Sequence, residues 1–91
     1  MFDQVSLLIG GEVRHHGSAG TLKVLDPATE EVVAELPRAG ASEAAEAAVA
    51  AQEGFVAWSS LSAFERYQIL RRAAQIMREK AAEAGPIMTR E

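Results

Sequence analysis

At 91 residues and a formal net charge of −4, with a pI near 5.1, the chain has room for one domain or part of one. A doubly wound dinucleotide domain needs several strand–helix–strand units of about 30 residues each, more than this length holds. With no cysteine and 48% hydrophobic residues, disulfide frameworks, thiolate zinc sites and redox switches are excluded, as is wholesale disorder.

Val5 to Ile9 is an apolar, β-favouring run that ends in Gly10-Gly11, and Glu12-Val13-Arg14 follows with alternating polarity. Two glycines between such runs predict a hairpin, because primed turns need positive φ. The polar, small stretch 15–20 (HHGSAG) reads as a loop. A strand over 22–25 comes next, closed by Asp26-Pro27-Ala28-Thr29. Pro27 holds Asp26 extended, and the Asp26 side chain can bond its own backbone to start a turn. Val32 to Leu36 is a further strand ending at Pro37. The strands, within about 5–36, form a small antiparallel arrangement whose edges call for cover.

The pattern then turns helical. Ser42 is the predicted N-cap of a helix over about 43–57, with Glu43 favourable in its first turn. Its stripe of Ala45, Ala48, Val49, Phe55 and Val56 is largely alanine, which lets a helix sit close to a neighbour. A second helix is predicted over about 63–84. Ser62 and Glu65 match a capping box, and Ile69, Leu70, Ala73, Ile76 and Met77 form the clearest apolar stripe in the chain. Gly85-Pro86 is expected to end or kink it near Ala84. The order is β, β, β, α, α. Much of the apolar content is alanine, so the core is expected to be poorly filled.

Charge is unevenly placed: residues 1–61 carry nine acids and three bases, residues 62–91 four acids and six bases. Arg66, Arg71, Arg72, Arg78 and Lys80 have the look of a phosphate-binding stripe. Glu65, Glu79 and Glu83 interleave with them, so a solvated helix face is the preferred reading and nucleic acid is not an expected partner. Met1-Phe2-Asp3 lacks the layout of a signal peptide. No apolar run approaches the roughly 18 residues of a membrane span, so the expectation is a soluble cytoplasmic chain without a membrane partner.

Residues with chemical potential are sparse. Glu30-Glu31 sit at a turn, where neighbours point apart rather than pairing as acid and base. His15-His16 offers two ligands in a loop, short of the three or four that zinc takes. Phe55, Trp58, Phe64 and Tyr67 could cage a ligand, but Phe55 and Trp58 covering the joint between two helices is the favoured reading. No catalytic constellation emerges.

The order of short motifs is more specific than any one of them. Leu8-Ile9-Gly10-Gly11-Glu12 is followed by Asp26-Pro27-Ala28-Thr29-Glu30-Glu31-Val32, then by Ala47-Ala48-Val49-Ala50-Ala51 leading to Phe55 and Trp58. Glu65-Arg66, Ile69-Leu70-Arg71-Arg72-Ala73-Ala74 and Met88-Thr89-Arg90-Glu91 complete the series. From about Leu7 onward it resembles the opening stretch of the NAD(P)-dependent aldehyde dehydrogenases, and the Arg71-Arg72-Ala73-Ala74 helix and the ending resemble the succinate-semialdehyde branch more than others. Three positions depart from the family pattern. Glu30 replaces a frequent turn glycine, which is expected to reshape that turn. Val13 replaces a frequent tryptophan, and Gly85-Pro86 interrupts what is normally continuous helix.

The resemblance implies that residues 1–91 are an incomplete N-terminal part of the family's α/β cofactor-binding domain. It implies a full-length enzyme, homo-oligomeric, that oxidises an aldehyde to a carboxylate with NAD or NADP. In that family a cysteine thiolate attacks the carbonyl, hydride passes to the nicotinamide and a glutamate activates water. None of those positions is carried by this chain, so no catalytic or cofactor-binding residue is assigned and the fragment alone is expected to be inactive. Its implied partner is the remainder of its own polypeptide. Some family members hold a monovalent cation through backbone carbonyls just before the Asn/Asp-Pro pair, here Val24 and Leu25. The alternative, from a different class, is a stand-alone helical interaction module docking through Ala45/Val49/Phe55 and Ile69/Ala73/Ile76.

Overall fold

The computed structural model describes residues 5–91. Its first element is the expected hairpin: β1 (Leu7–Ile9) pairs antiparallel with β2 (Glu12–Arg14), Leu8 opposite Val13. Gly10 and Gly11 lie at φ 58° and 81°, the left-handed pair that matches the twist of the flanking strands. A second, separate sheet joins β3 (Thr21–Leu25) to β4 (Val32–Pro37), with Leu22 opposite Leu36 and Leu25 opposite Val32. Its register shifts between Val24 and Leu25, leaving Val33 as the extra residue of a bulge on β4. Adjacent strand residues normally face opposite ways. The bulge accounts for Val33 and Ala34 both turning inward, 1% and 5% exposed; with Pro37 at the end of the strand they are the buried apolar side chains among the described residues.

The β3–β4 turn is built by Asp26. Its Oδ1 accepts the Ala28 N–H at 2.8 Å and its carbonyl accepts the Glu30 N–H at 2.8 Å, while its own N–H donates to the Glu31 carbonyl at 2.9 Å. Glu30 adopts φ 61°, in the left-handed region that glycine enters most readily. The backbone strain is carried by an L-residue at a cost of about 1–2 kcal/mol. Glycine at this position loses more entropy on folding, by about 0.5–1 kcal/mol. Glu30→Gly is therefore expected to stabilise the chain by up to about 1 kcal/mol, read as a higher urea midpoint at unchanged m-value.

Helix α1 (Ala41–Ser60) starts two residues before the expected boundary and is capped by Gly40, not Ser42. The Glu43 carboxylate accepts the Gly40 N–H at 2.8 Å, which fixes the cap two residues ahead of Ser42 and leaves that serine inside the helix. Helix α2 (Ala63–Glu79) begins at the expected box: Ser62 Oγ accepts the Glu65 N–H at 3.2 Å and Glu65 accepts the Ser62 N–H at 2.7 Å. Those bonds to Ser62 hold the Glu65 carboxyl below its ordinary pKa.

The second helix stops at Glu79 rather than near Ala84, and α3 (Ala81–Arg90) carries Gly85-Pro86 inside it. The break is at Lys80 (φ −97°, ψ 5°), whose carbonyl accepts both the Glu83 and the Ala84 N–H at 3.0 Å. Proline then omits one ladder bond without ending the helix.

Packing is thin. The chain exposes 7188 Å², against about 5,100 Å² for a compact protein of 9.7 kDa. Its radius of gyration is 16.5 Å, against about 12 Å for a compact chain of this length. Neither α2 nor α3 buries a residue, and Ile69, Leu70 and Met77 of the α2 stripe are 50%, 60% and 74% exposed. Among the described residues no helix is long and apolar enough to cross a membrane.

Candidate functional site

The most organised polar cluster lies where the loop after β2 meets the start of α1. Gly17 packs against the backbone of Arg38; the Ala19 N–H donates to the Arg38 carbonyl at 3.2 Å, and the Arg38 N–H to the Gly20 carbonyl at 2.8 Å. This brings Ser18 over Gly40. The buried Glu43 carboxylate then accepts four donors: the Ser18 N–H at 2.8 Å, the Ser18 hydroxyl at 2.5 Å, the Gly40 N–H at 2.8 Å and the Ser42 hydroxyl at 3.1 Å. The Ser18 hydroxyl first, then the Gly40 N–H, lower the Glu43 pKa from 4.5 to about 2. A carboxylate that accepts four donors from the loop and the helix start is a structural clamp. The sequence signal for it was a Glu three residues into the helix; its partner, 25 residues upstream, gave none.

Residues singled out from the sequence are placed as follows. Val24 and Leu25 stand at the β-bulge, next to the Asp26 turn. Glu30 and Glu31 are exposed at the turn. His15 Nδ1 lies 2.8 Å from Ser6 Oγ, an exposed bond across the mouth of the hairpin; among the described residues no group of three or more His, Asp or Glu is placed to hold a metal.

The aromatic residues separate. Trp58 lines the angle between α1 and α2 with Ala63 and Tyr67, whereas Phe55 is 64% exposed and does not share the joint with it. Phe64 packs on Tyr67 at 6.1 Å between centroids. Arg71 donates to the Tyr67 hydroxyl at 2.8 Å and lies 5.9 Å from its ring. That groove, about 860 Å³, gathers Arg66, Arg71 and Arg78. A second groove of about 470 Å³, between the β1–β2 hairpin and α1, is lined by Ile9, Val49, Glu46 and Glu53. Neither brings a nucleophile against a base.

A dinucleotide site would need free amides at a helix N-terminus that follows a strand. The β4–α1 junction is that place, and there the Gly40 N–H and the Ser18 N–H are already bonded to Glu43. A carboxylate at this position opposes a second anion, so the described residues do not fit a pyrophosphate.

The model of the aldehyde dehydrogenase family matches residues 14–91. The chain belongs to that family. Among solved structures it is similar to a succinate-semialdehyde dehydrogenase from Burkholderia pseudomallei, with a TM-score of 0.86 and 36% identity over 93% of this chain. It is also similar to an NAD-dependent benzaldehyde dehydrogenase from Corynebacterium glutamicum, with a TM-score of 0.81 and 29% identity over 90% of this chain. In each case this aldehyde dehydrogenase chain spans 18% of the other protein's length. The motif order read from Leu8 to Glu91 and the sequence of short antiparallel strands followed by helices agree with both comparisons.

Proposed function

We propose that this chain is the N-terminal part of the cofactor-binding domain of an enzyme that oxidises an aldehyde to a carboxylate with NAD or NADP, working in the cytoplasm as a homo-oligomer. What supports this is the family match over residues 14–91 together with a span of 18% of two dehydrogenases. The open faces of α1 and α2 agree with a chain whose remaining polypeptide covers them.

By themselves the 91 residues neither bind the dinucleotide nor turn over an aldehyde. The observation that carries this is Glu43, which among the described residues fills the strand-to-helix junction with its own carboxylate. Titrating the chain with NAD and with NADP in a calorimeter is expected to give no heat beyond dilution. Micromolar binding of either nucleotide would overturn the reading, as would NADH or NADPH formed from any aldehyde.

In the complete enzyme the Val24 and Leu25 carbonyls contribute to a monovalent-cation site. The bulge at that point supports this, because it breaks the regular ladder in which strand carbonyls are consumed.

A further inference from the structure

The charges of α2 are sorted by face. Arg66, Arg71 and Arg78 line the groove in the angle between α1 and α2, and no acidic residue lines it with them. The helix's acids are engaged elsewhere. Glu65 accepts the Ser62 N–H at the cap, while Glu79 accepts a bond from Gln75 at 3.0 Å and lies 3.9 Å from Arg72. No groove arginine stands three or four residues from an Asp or Glu, the separation at which helix neighbours pair. Among the described residues none of the three has a carboxylate partner. Arg71 is held in place by the Tyr67 hydroxyl at 2.8 Å, a neutral group that leaves its charge uncompensated.

We propose that the polypeptide following Glu91 lays an acidic segment into this groove, with Asp or Glu carboxylates on Arg66, Arg71 and Arg78. The proposal rests on the reading of this chain as the head of a longer enzyme, supported by its span of 18% of two dehydrogenases. Covering an arginine takes its charge out of water, at a cost of several kcal/mol per ion unless an opposite charge meets it. Backbone carbonyls would satisfy the N–H donors and leave the charge, whereas a carboxylate meets the guanidinium fork with both oxygens and cancels it. Arg66 and Arg78 are twelve residues apart, about 18 Å along a helix, so one small anion reaches only part of the row. An extended segment of about five or six residues spans it. Apolar side chains of that segment cover Trp58 and Leu70 in the same groove, which a free phosphate would leave in water.

Carbodiimide coupling in the intact polypeptide tests this. Arg66→Lys, Arg71→Lys and Arg78→Lys, made singly, keep the charge and place a primary amine in the groove. The carbodiimide activates a carboxylate in contact with that amine, an amide forms, and the reagent leaves as a urea carrying the water lost. Peptide mapping by mass spectrometry is expected to find at least two of the three lysines joined to an Asp or Glu beyond residue 91 of the same polypeptide. Arg72→Lys, beside Glu79, reports that the reagent reaches α2.

Fewer than two such links, links only to carboxylates within residues 1–91, or links to a second copy seen as a doubled mass would each overturn the proposal. An intact cellular mass of 9.7 kDa would overturn the enzymatic reading and this proposal with it. A longer polypeptide without the links overturns this proposal alone.

Discussion

Gly17→Ala is expected to destabilise the chain by about 3 kcal/mol, at the upper end for overpacking, and to detach the 17–20 loop from α1. A Cβ at this position stands 2.0 Å from the Arg38 carbonyl oxygen and 2.5 Å from its carbon. Both are backbone atoms just beyond the end of β4, held by the Arg38–Gly20 bond, so relief requires the loop to move away. Moving it breaks the Ala19–Arg38 and Arg38–Gly20 bonds and lifts Ser18 off Glu43.

Gly11→Ala is the control. A Cβ there meets nothing within 4 Å, and φ 81° supplies only local strain, at about 1–2 kcal/mol. Urea unfolding followed by circular dichroism separates the two: a Gly17→Ala midpoint equal to or above that of Gly11→Ala would show that the loop does not bear on Arg38.

Local chemistry made much of this fold legible. Gly10-Gly11 announces its turn because positive φ is a property of the residue itself, and Ser62 with Glu65 announces a helix start because both partners lie within four residues. The Asp26 turn was equally readable, since its side chain bonds the Ala28 N–H.

What was not legible depends on partners distant in sequence or on cancellation between local terms. Ser42 is the better N-cap by residue type, yet Gly40 takes the role because Glu43, clamped by Ser18, fixes where the helix begins. The 15–20 loop looked solvated because small polar residues usually are; nothing in its pattern marks Gly17 as the point of closest approach to Arg38. Gly85-Pro86 looked terminal, and the chain instead bends at Lys80 and continues. The candidate cation carbonyls of Val24 and Leu25 came only through family resemblance, since backbone oxygens leave no trace in side-chain pattern. The one-residue register shift beside them is likewise invisible to a period-two reading of Val32 to Leu36.

Glu43→Gln is expected to lower stability most near neutral pH and progressively less in acid. The native carboxyl has its pKa lowered from 4.5 to about 2, so the unfolded chain binds the proton more readily. The stabilisation is therefore complete above pH 4.5 and is lost as pH falls towards about 2. Glutamine is uncharged across this range and removes the dependence. It also places an amide donor opposite one of two sets of donors, the Ser18 N–H on one oxygen or the Ser18 hydroxyl, Gly40 N–H and Ser42 hydroxyl on the other.

Glu65 also has a lowered pKa, so both chains lose some stability in acid and only their difference isolates Glu43. That difference in urea midpoint should be flat above pH 4.5 and should shrink steadily below it. A difference that stays constant down to pH 2 would mean Glu43 acts through packing rather than charge, and the clamp would then depend on shape alone. If the difference shrinks, the charge itself joins the loop to the helix. The carboxylate that occupies the β4–α1 junction is then a requirement of the fold, and the same junction cannot be cleared for a nucleotide phosphate without loosening the chain.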